Sequence, residues 1–294
     1  MKKTVFLIAF LVFFGIFVGC TNKKPDIVIG TDGYTEQLIL GQMIKLLIED
    51  NTKLNASCMN NLAYDVLFAD IKTGVVDVYV EYTGTFFGNH HIYSTIREDM
   101  GVYDLNKRVL EERYNILMLE PLGFNNTYAI AVRADVAAEY SLKTISDLAK
   151  VSSNFIFGGT DAFHSRYDGL ANLKRIYDLK YKEEKSMGWI ERYFAIDNNE
   201  IQVCSSFSTD GMLLEHNLVV LEDDKHFFPP YHAVIIIRNE TTEKYPELLD
   251  ILNKLSGKLS DDIMIGLNYC VDVQGETPIS VAEDFLKTDG LIRK

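Results

Sequence analysis

Basic side chains are the first thing this sequence is short of. Its 29 lysines and arginines face 42 aspartates and glutamates, a formal charge of −13. That balance leaves no broad cationic surface for phosphates, so nucleic acid is excluded as a partner. It does not exclude a cationic ligand, which the long-range field would attract. Cysteine is scarce as well: Cys20, Cys58, Cys204 and Cys270 are all there is. The last three cannot all pair with one another and show no metal-binding spacing, so free thiols are expected, with one disulfide left open. The six histidines form no HExxH pattern. There is no GxSxG elbow, no Walker loop and no GxGxxG after a strand. Cys204 beside Ser205 and Ser206 has no paired base nearby, and His90–His91 reads as loop surface. The chain is therefore not expected to be an enzyme or to hold a cofactor or metal.

Long apolar runs are also missing, with one exception at the N-terminus. Lys2 and Lys3 precede a nearly unbroken apolar stretch over residues 4–18, followed by Gly19, Cys20, Thr21 and Asn22. This is the pattern of a secretory signal, too short to span a bilayer comfortably. Val18-Gly19-Cys20 further reads as a lipobox with an atypical Phe17. Residues 1–19 are then a lipoprotein signal peptide, and Cys20 would be acylated and tether the protein to the membrane. Residues 20–26 form a polar tether. The protein is expected outside the cytoplasm, lipid-anchored to a bacterial membrane.

Periodicity organises the rest. Residues 27–30 read as a buried strand, and Thr35 could cap a helix to about 50, with Ile39, Met43, Leu46 and Leu47 at helical spacing. A helix follows over 64–72, then a strand over 75–80 ending in a polar turn at 81–85. Further strands are expected at 128–132, 155–158, 218–221 and 233–238. Helices are expected at 144–150, 169–177, 245–255 and 260–269. Alternating strands and helices predict an α/β architecture with largely parallel sheets. With only six prolines and no Pro/Gly-rich linker, any second domain must be an insertion.

Aromatic side chains stand out in the polar turns. Tyr82 lies between Glu81 and Thr83; Tyr128 follows Asn125-Asn126-Thr127; Phe207 is flanked by serines; Tyr231 follows Pro229-Pro230. In open α/β sheets, ligands collect beyond the carboxyl ends of strands, where such turns sit. A cluster of π faces there suits a cation without N–H donors, each face contributing about 0.5–2 kcal/mol.

Seven blocks carry a resemblance: GTDGYTEQ (30–37), DVYVEYTGT (77–85), GFNNTYAIA (123–131), RYDGL (166–170), STDG (208–211), DDKHFFPPYHA (223–233) and LNYCV (267–271). In these the chain resembles the osmoprotectant-binding lipoproteins of ABC importers, which take up glycine betaine, choline, carnitine and related solutes. The resemblance implies a type II periplasmic-binding-protein fold, two α/β lobes joined by two crossover strands around a ligand cleft. Lobe one would be 27–125 with 233–294, and lobe two the inserted 126–232. It further implies an aromatic cage of Tyr82, Tyr128, Phe207 and Tyr231, with the Asn126 carbonyl turned toward the cation. Thr85 and Arg166 would take a ligand carboxylate, unless Arg166 is spent on Asp168 or Asp210. The implied partners are a quaternary-ammonium solute, a membrane permease with its ATPase, and the bilayer through Cys20. The chain is expected to act as a monomer.

Three departures from the family pattern bear on the guest. Asp32 stands where relatives often carry lysine or a neutral residue, which disfavours a carboxylate and favours choline over glycine betaine or carnitine. Phe207 stands where tyrosine is common. Leu62-Ala63-Tyr64 replaces a small Gly-Gly-Thr/Ser segment and would place bulk near the cleft. Two alternatives follow: an amino acid or polyamine held through Asp32, or a surface sensor or adhesin that has lost transport.

Overall fold

The computed structural model describes residues 24–90, 101–166 and 168–293. The signal sequence, Cys20, His91 and Tyr167 lie outside the described residues. The chain begins with β1 (Ile27–Gly30), α1 (Thr35–Asn51), β2 (Ala56–Met59), α2 (Tyr64–Thr73), β3 (Val78–Tyr82), α3 (Thr83–Asn89), α4 (Val102–Tyr114) and β4 (Ile116–Asn125). It then crosses into β5 (Tyr128–Arg133), α5 (Ala134–Tyr140), α6 (Ile145–Val151), β6 (Ile156–Gly159), α7 (Asp161–Ser165), α8 (Leu170–Tyr177), β7 (Glu183–Ser186), α9 (Glu191–Asp197), β8 (Val203–Phe207), α10 (Met212–Glu215) and β9 (Leu218–Leu221). It returns through β10 (His232–Arg238), α11 (Asn239–Lys244), α12 (Glu247–Leu252), α13 (Asp261–Asp272) and α14 (Pro278–Thr288). No helix among the described residues is long and apolar enough to cross a membrane.

Two five-stranded sheets result, ordered β2-β1-β3-β10-β4 and β7-β6-β8-β5-β9. Both are mixed, not largely parallel. β1 runs parallel to β2 and β3, while β10 is antiparallel to β3 and β4. In the second sheet β6 is parallel to β7 and β8, and β5 is antiparallel to β8 and β9. The antiparallel members are the strands that carry the chain between the sheets, β5 leading in and β10 leading back.

Each sheet is covered on both faces. Ile39, Leu40, Met43, Ile44 and Leu47 of α1 are fully buried and pack with β1, β3, α12 and α14. Tyr79 of β3 points the other way, into a core with Phe68 of α2 and Leu105, Val109 and Leu110 of α4. Side chains alternate along a strand, so β3 must be acceptable on both faces. Its polar member, Glu81, shares the Tyr79 face and is 2% exposed.

Several local expectations give way. Thr35 is the first residue of α1 and caps nothing; the capping position is Tyr34, and the Thr35 hydroxyl donates instead to Asp272. The supposed polar turn at 81–85 is the end of β3 and the start of α3. The ten-residue β4 escapes the strand pattern because Glu120 and Pro121 interrupt its apolar run. Cys58, Cys204 and Cys270 are free thiols.

Glu81 has a consequence for stability. Its carboxylate accepts from the Tyr79 hydroxyl at 2.9 Å and the Tyr82 amide at 2.6 Å, yet burial pushes its pKa up to about 7. An acid whose pKa is raised on folding holds its proton where the unfolded chain has released it. Stability therefore falls as pH rises from about 4.5 to about 7, by about 3 kcal/mol in total. Glu81→Gln should remove this component. Urea midpoints of wild type and variant are expected to converge near pH 4.5 and to separate above pH 7, with the variant the more stable.

Candidate functional site

A cleft of about 1160 Å³ opens between the two sheets. Its floor is the pair of crossovers, which are bonded to each other: the Asn126 amide donates to the Tyr231 carbonyl at 3.2 Å, and the Tyr231 amide donates to Asn125 Oδ1 at 2.6 Å. Ser208 stitches the second sheet to the same place, donating to the Asn125 carbonyl at 2.6 Å and accepting from the Thr127 amide at 3.0 Å.

Seven of the sequence-derived candidates line this cleft: Tyr82, Thr85, Asn126, Tyr128, Arg166, Phe207 and Tyr231. Tyr128 and Phe207 are direct cross-strand partners on β5 and β8, which sets their ring centroids 4.7 Å apart. Phe163 of α7 supports Tyr128 from behind at 5.1 Å. Tyr231 lies against Gly84, where a Cβ would come within 2.8 Å of the ring. The glycine of the EYTGT block is thus required for that ring's position.

The eighth candidate, Asp32, is not among the lining residues, and its carboxylate turns back onto the Gly33 amide at 2.5 Å. Leu62-Ala63-Tyr64 also lies off the cleft; the Tyr64 hydroxyl pairs with His90 Nε2 at 3.0 Å. His90 itself packs among the rings of Phe68, Phe86 and Tyr114 instead of forming loop surface. No group of three metal-type ligands occurs among the described residues.

Arg166 is already engaged. Its Nε and Nη2 donate to the two oxygens of Asp168 at 2.6 and 2.8 Å, and Nη2 also meets the Tyr231 hydroxyl at 3.2 Å. That hydroxyl in turn donates to Asp168 at 2.9 Å. The guanidinium carbon stands 5.3 Å from the Tyr128 ring centre. Burial alone would raise the pKa of Asp168, but the fork-on-fork pairing with Arg166 holds it below its ordinary value.

Sequence reasoning passed over Glu36 and Tyr34, both within the GTDGYTEQ block. Glu36 is buried in the first turn of α1, where the helix dipole favours an anion. Its Oε1 accepts from the Tyr82 hydroxyl at 2.5 Å and Asn126 Nδ2 at 2.8 Å. Its Oε2 accepts from the Thr209 hydroxyl at 2.7 Å and Asn268 Nδ2 at 3.3 Å. Burial raises its pKa, and these four donors oppose the rise. The available signal was its position: an acid one turn before Ile39 and two turns before Met43, on the face α1 buries. Tyr34 is 42% exposed, open to the cleft, with its ring 6.4 Å from that of Tyr82.

A family profile for the substrate-binding domain of ABC-type glycine betaine transport systems matches residues 25–288. The chain is 36% identical over 92% of its length to the ergothioneine transport permease/ergothioneine binding protein of Helicobacter pylori, and spans 48% of that relative. It is 35% identical over 90% of its length to the carnitine transport binding protein of Listeria monocytogenes, spanning 87% of it. The crystal structure of a glycine betaine/carnitine/choline ABC transporter protein superposes with a TM-score of 0.85 at 32% identity, covering 90% of this chain and 99% of that one. An aromatic-walled cleft between two mixed sheets agrees with these likenesses, and the chain belongs to the substrate-binding-domain family of ABC-type glycine betaine transport systems.

Proposed function

We propose that this protein captures a quaternary-ammonium solute outside the cytoplasm and delivers it to a membrane permease driven by an ATPase, tethered meanwhile through an acylated Cys20. The observation that carries the reading is the convergence of Tyr82, Tyr128, Phe207 and Tyr231 on one cleft. A quaternary ammonium has no N–H to donate, so hydrogen-bonding walls gain little from it, whereas π faces attract its charge. The relatives named for carnitine and ergothioneine support the same solute class.

Choline is the favoured guest, with glycine betaine and carnitine after it. Asp32 does not support this ranking, since it lies off the cleft. Arg166 does. A ligand carboxylate would have to compete with Asp168 for the Nε and Nη2 donors of Arg166, whereas the choline tail carries no anion. The alternative of an amino acid or polyamine held through Asp32 is not favoured, because Asp32 lies off the cleft.

Isothermal titration calorimetry with choline, glycine betaine and carnitine should rank choline first. Tight glycine betaine binding with choline silent would overturn the ranking. Tyr128→Ala should weaken choline by up to about 30-fold, the upper range of one lost cation–π contact. Asp168→Asn should release Arg166 and shift the ratio of affinities toward glycine betaine. An unchanged ratio would show that Arg166 does not read the ligand's carboxylate.

A further inference from the structure

Outside the cleft, α9 and α10 leave large apolar side chains in solvent. Ile190, at the head of α9, and Phe194 stand one turn apart on its outer face, 43% and 56% exposed. Leu214 of α10 is 55% exposed. The two helices adjoin: the Phe194 ring meets that of His216 edge-on with centres 5.9 Å apart, and Leu214 lies two residues before His216. In turn α10 leans on α13. A Cβ on Gly211 would fall 2.6 Å from the Tyr269 amide nitrogen, and the Tyr269 hydroxyl donates to Glu215 at 3.3 Å. The face thus runs from helices of the second sheet onto one whose Met264 is buried in the core of the first.

Charge decides what can cover this face. Together α9, α10 and α13 hold one lysine or arginine, Arg192, which is 1% exposed and turned onto Asp210. Glu191, Asp197, Glu215 and Asp262 of the same helices are exposed. An apolar centre with a rim of one sign suits a partner of the opposite sign. A second copy of this chain would bring the same acids and be repelled, and so would an anionic lipid surface. Gly266, inside α13, is an independent sign of a partner. Glycine in a helix interior is less stable than alanine, yet a Cβ here would meet nothing within 4 Å. No contact among the described residues requires it. Its missing side chain lets a partner reach the helix backbone, one turn from Asp262 on the same side.

We propose that the α9–α10–α13 face is the docking surface for the membrane permease, whose extracytoplasmic loops meet Phe194 and Leu214 with apolar side chains and the acidic rim with arginine or lysine. The inference rests on the reading of this chain as the carrier of a solute to that permease, and it says where the two meet. Asp210 and Gly211 before α10, and Asn268 and Asp272 of α13, line the cleft. A permease seated on this face therefore touches both walls of the solute site.

The test separates docking from solute binding. Phe194→Ser combined with Leu214→Ser, and separately Gly266→Gln, should leave the calorimetric Kd for choline unchanged. Uptake of radiolabelled choline by cells carrying the native permease and ATPase should fall at least about tenfold in each, the scale of a lost interface hot spot. Wild-type uptake in either variant would overturn the proposal. A matching loss of choline affinity would overturn it too, making the face structural. In the same cells, Phe194→p-benzoylphenylalanine should crosslink on irradiation to the permease. Adducts confined to lipid or to a second copy, or no adduct, would sink the assignment. A wild type that binds no choline would instead strike the quaternary-ammonium reading, and the crosslink alone would then judge the docking face.

Discussion

A carboxylate removed from water must be surrounded by donors or take up a proton, and Glu36 imposes that demand where both sheets and both crossovers meet. Its donors come from β3 through Tyr82, from the first crossover through Asn126, from α13 through Asn268, and from the second sheet through Thr209. Each bond orients a residue that lines the cleft. Tyr82 cannot turn its ring freely while its hydroxyl is held, and Asn126 cannot leave the floor. Charge-assisted bonds of this kind are stronger and shorter than neutral ones. One acid at a helix start thus fixes part of the cleft wall, part of the floor and the approach of the second sheet.

Close backbone approach completes what Glu36 begins. A Cβ on Gly211 would come within 2.6 Å of the Tyr269 amide, so the turn after β8 can reach α13 only as glycine. Gly84 does the same for Tyr231 on the other wall. These contacts allow no substitution by a flexible side chain, because the obstructing atoms are backbone or a held aromatic ring.

Much of this was legible in the sequence, and what was not had a common cause. Tyr128, Phe207 and Tyr231 announced themselves because large aromatics flanked by Ser, Thr, Asn and Pro are out of place unless they face something. β5, β6 and β10 follow from continuous apolar runs, as strands buried on both faces should, and the edge strand β9 follows from a similar run although Val220 is exposed. Glu36 was hidden because local pattern scores an acid as solvent-facing, and its four partners lie as far as 232 residues away in sequence. Asp32 drew attention because it stands where relatives often carry lysine or a neutral residue, but the turn before α1 points it at its neighbour's amide. The 81–85 segment read as a turn because Thr-Gly-Thr has poor helix propensity, and packing of Phe86 into the α2–α4 core overrides that.

The pairing of Arg166 with Asp168 settles how a cation can share a cleft with a guanidinium. Two like charges at 4–5 Å repel by about 3–4 kcal/mol at an effective dielectric near 20. An unpaired Arg166, close to Tyr128, would therefore oppose any cation attracted to the same ring. Asp168 neutralises it through both oxygens, and Tyr231 ties that pair to the crossover. The aromatic wall then keeps its π faces available to a guest, while the excess of carboxylates elsewhere in the lining sets the sign of the field. A neutralised arginine in a net-acidic cleft is compatible with the proposed cationic guest. On the proposed reading, the Arg166–Asp168 pair bears on which ligand tails the cleft admits.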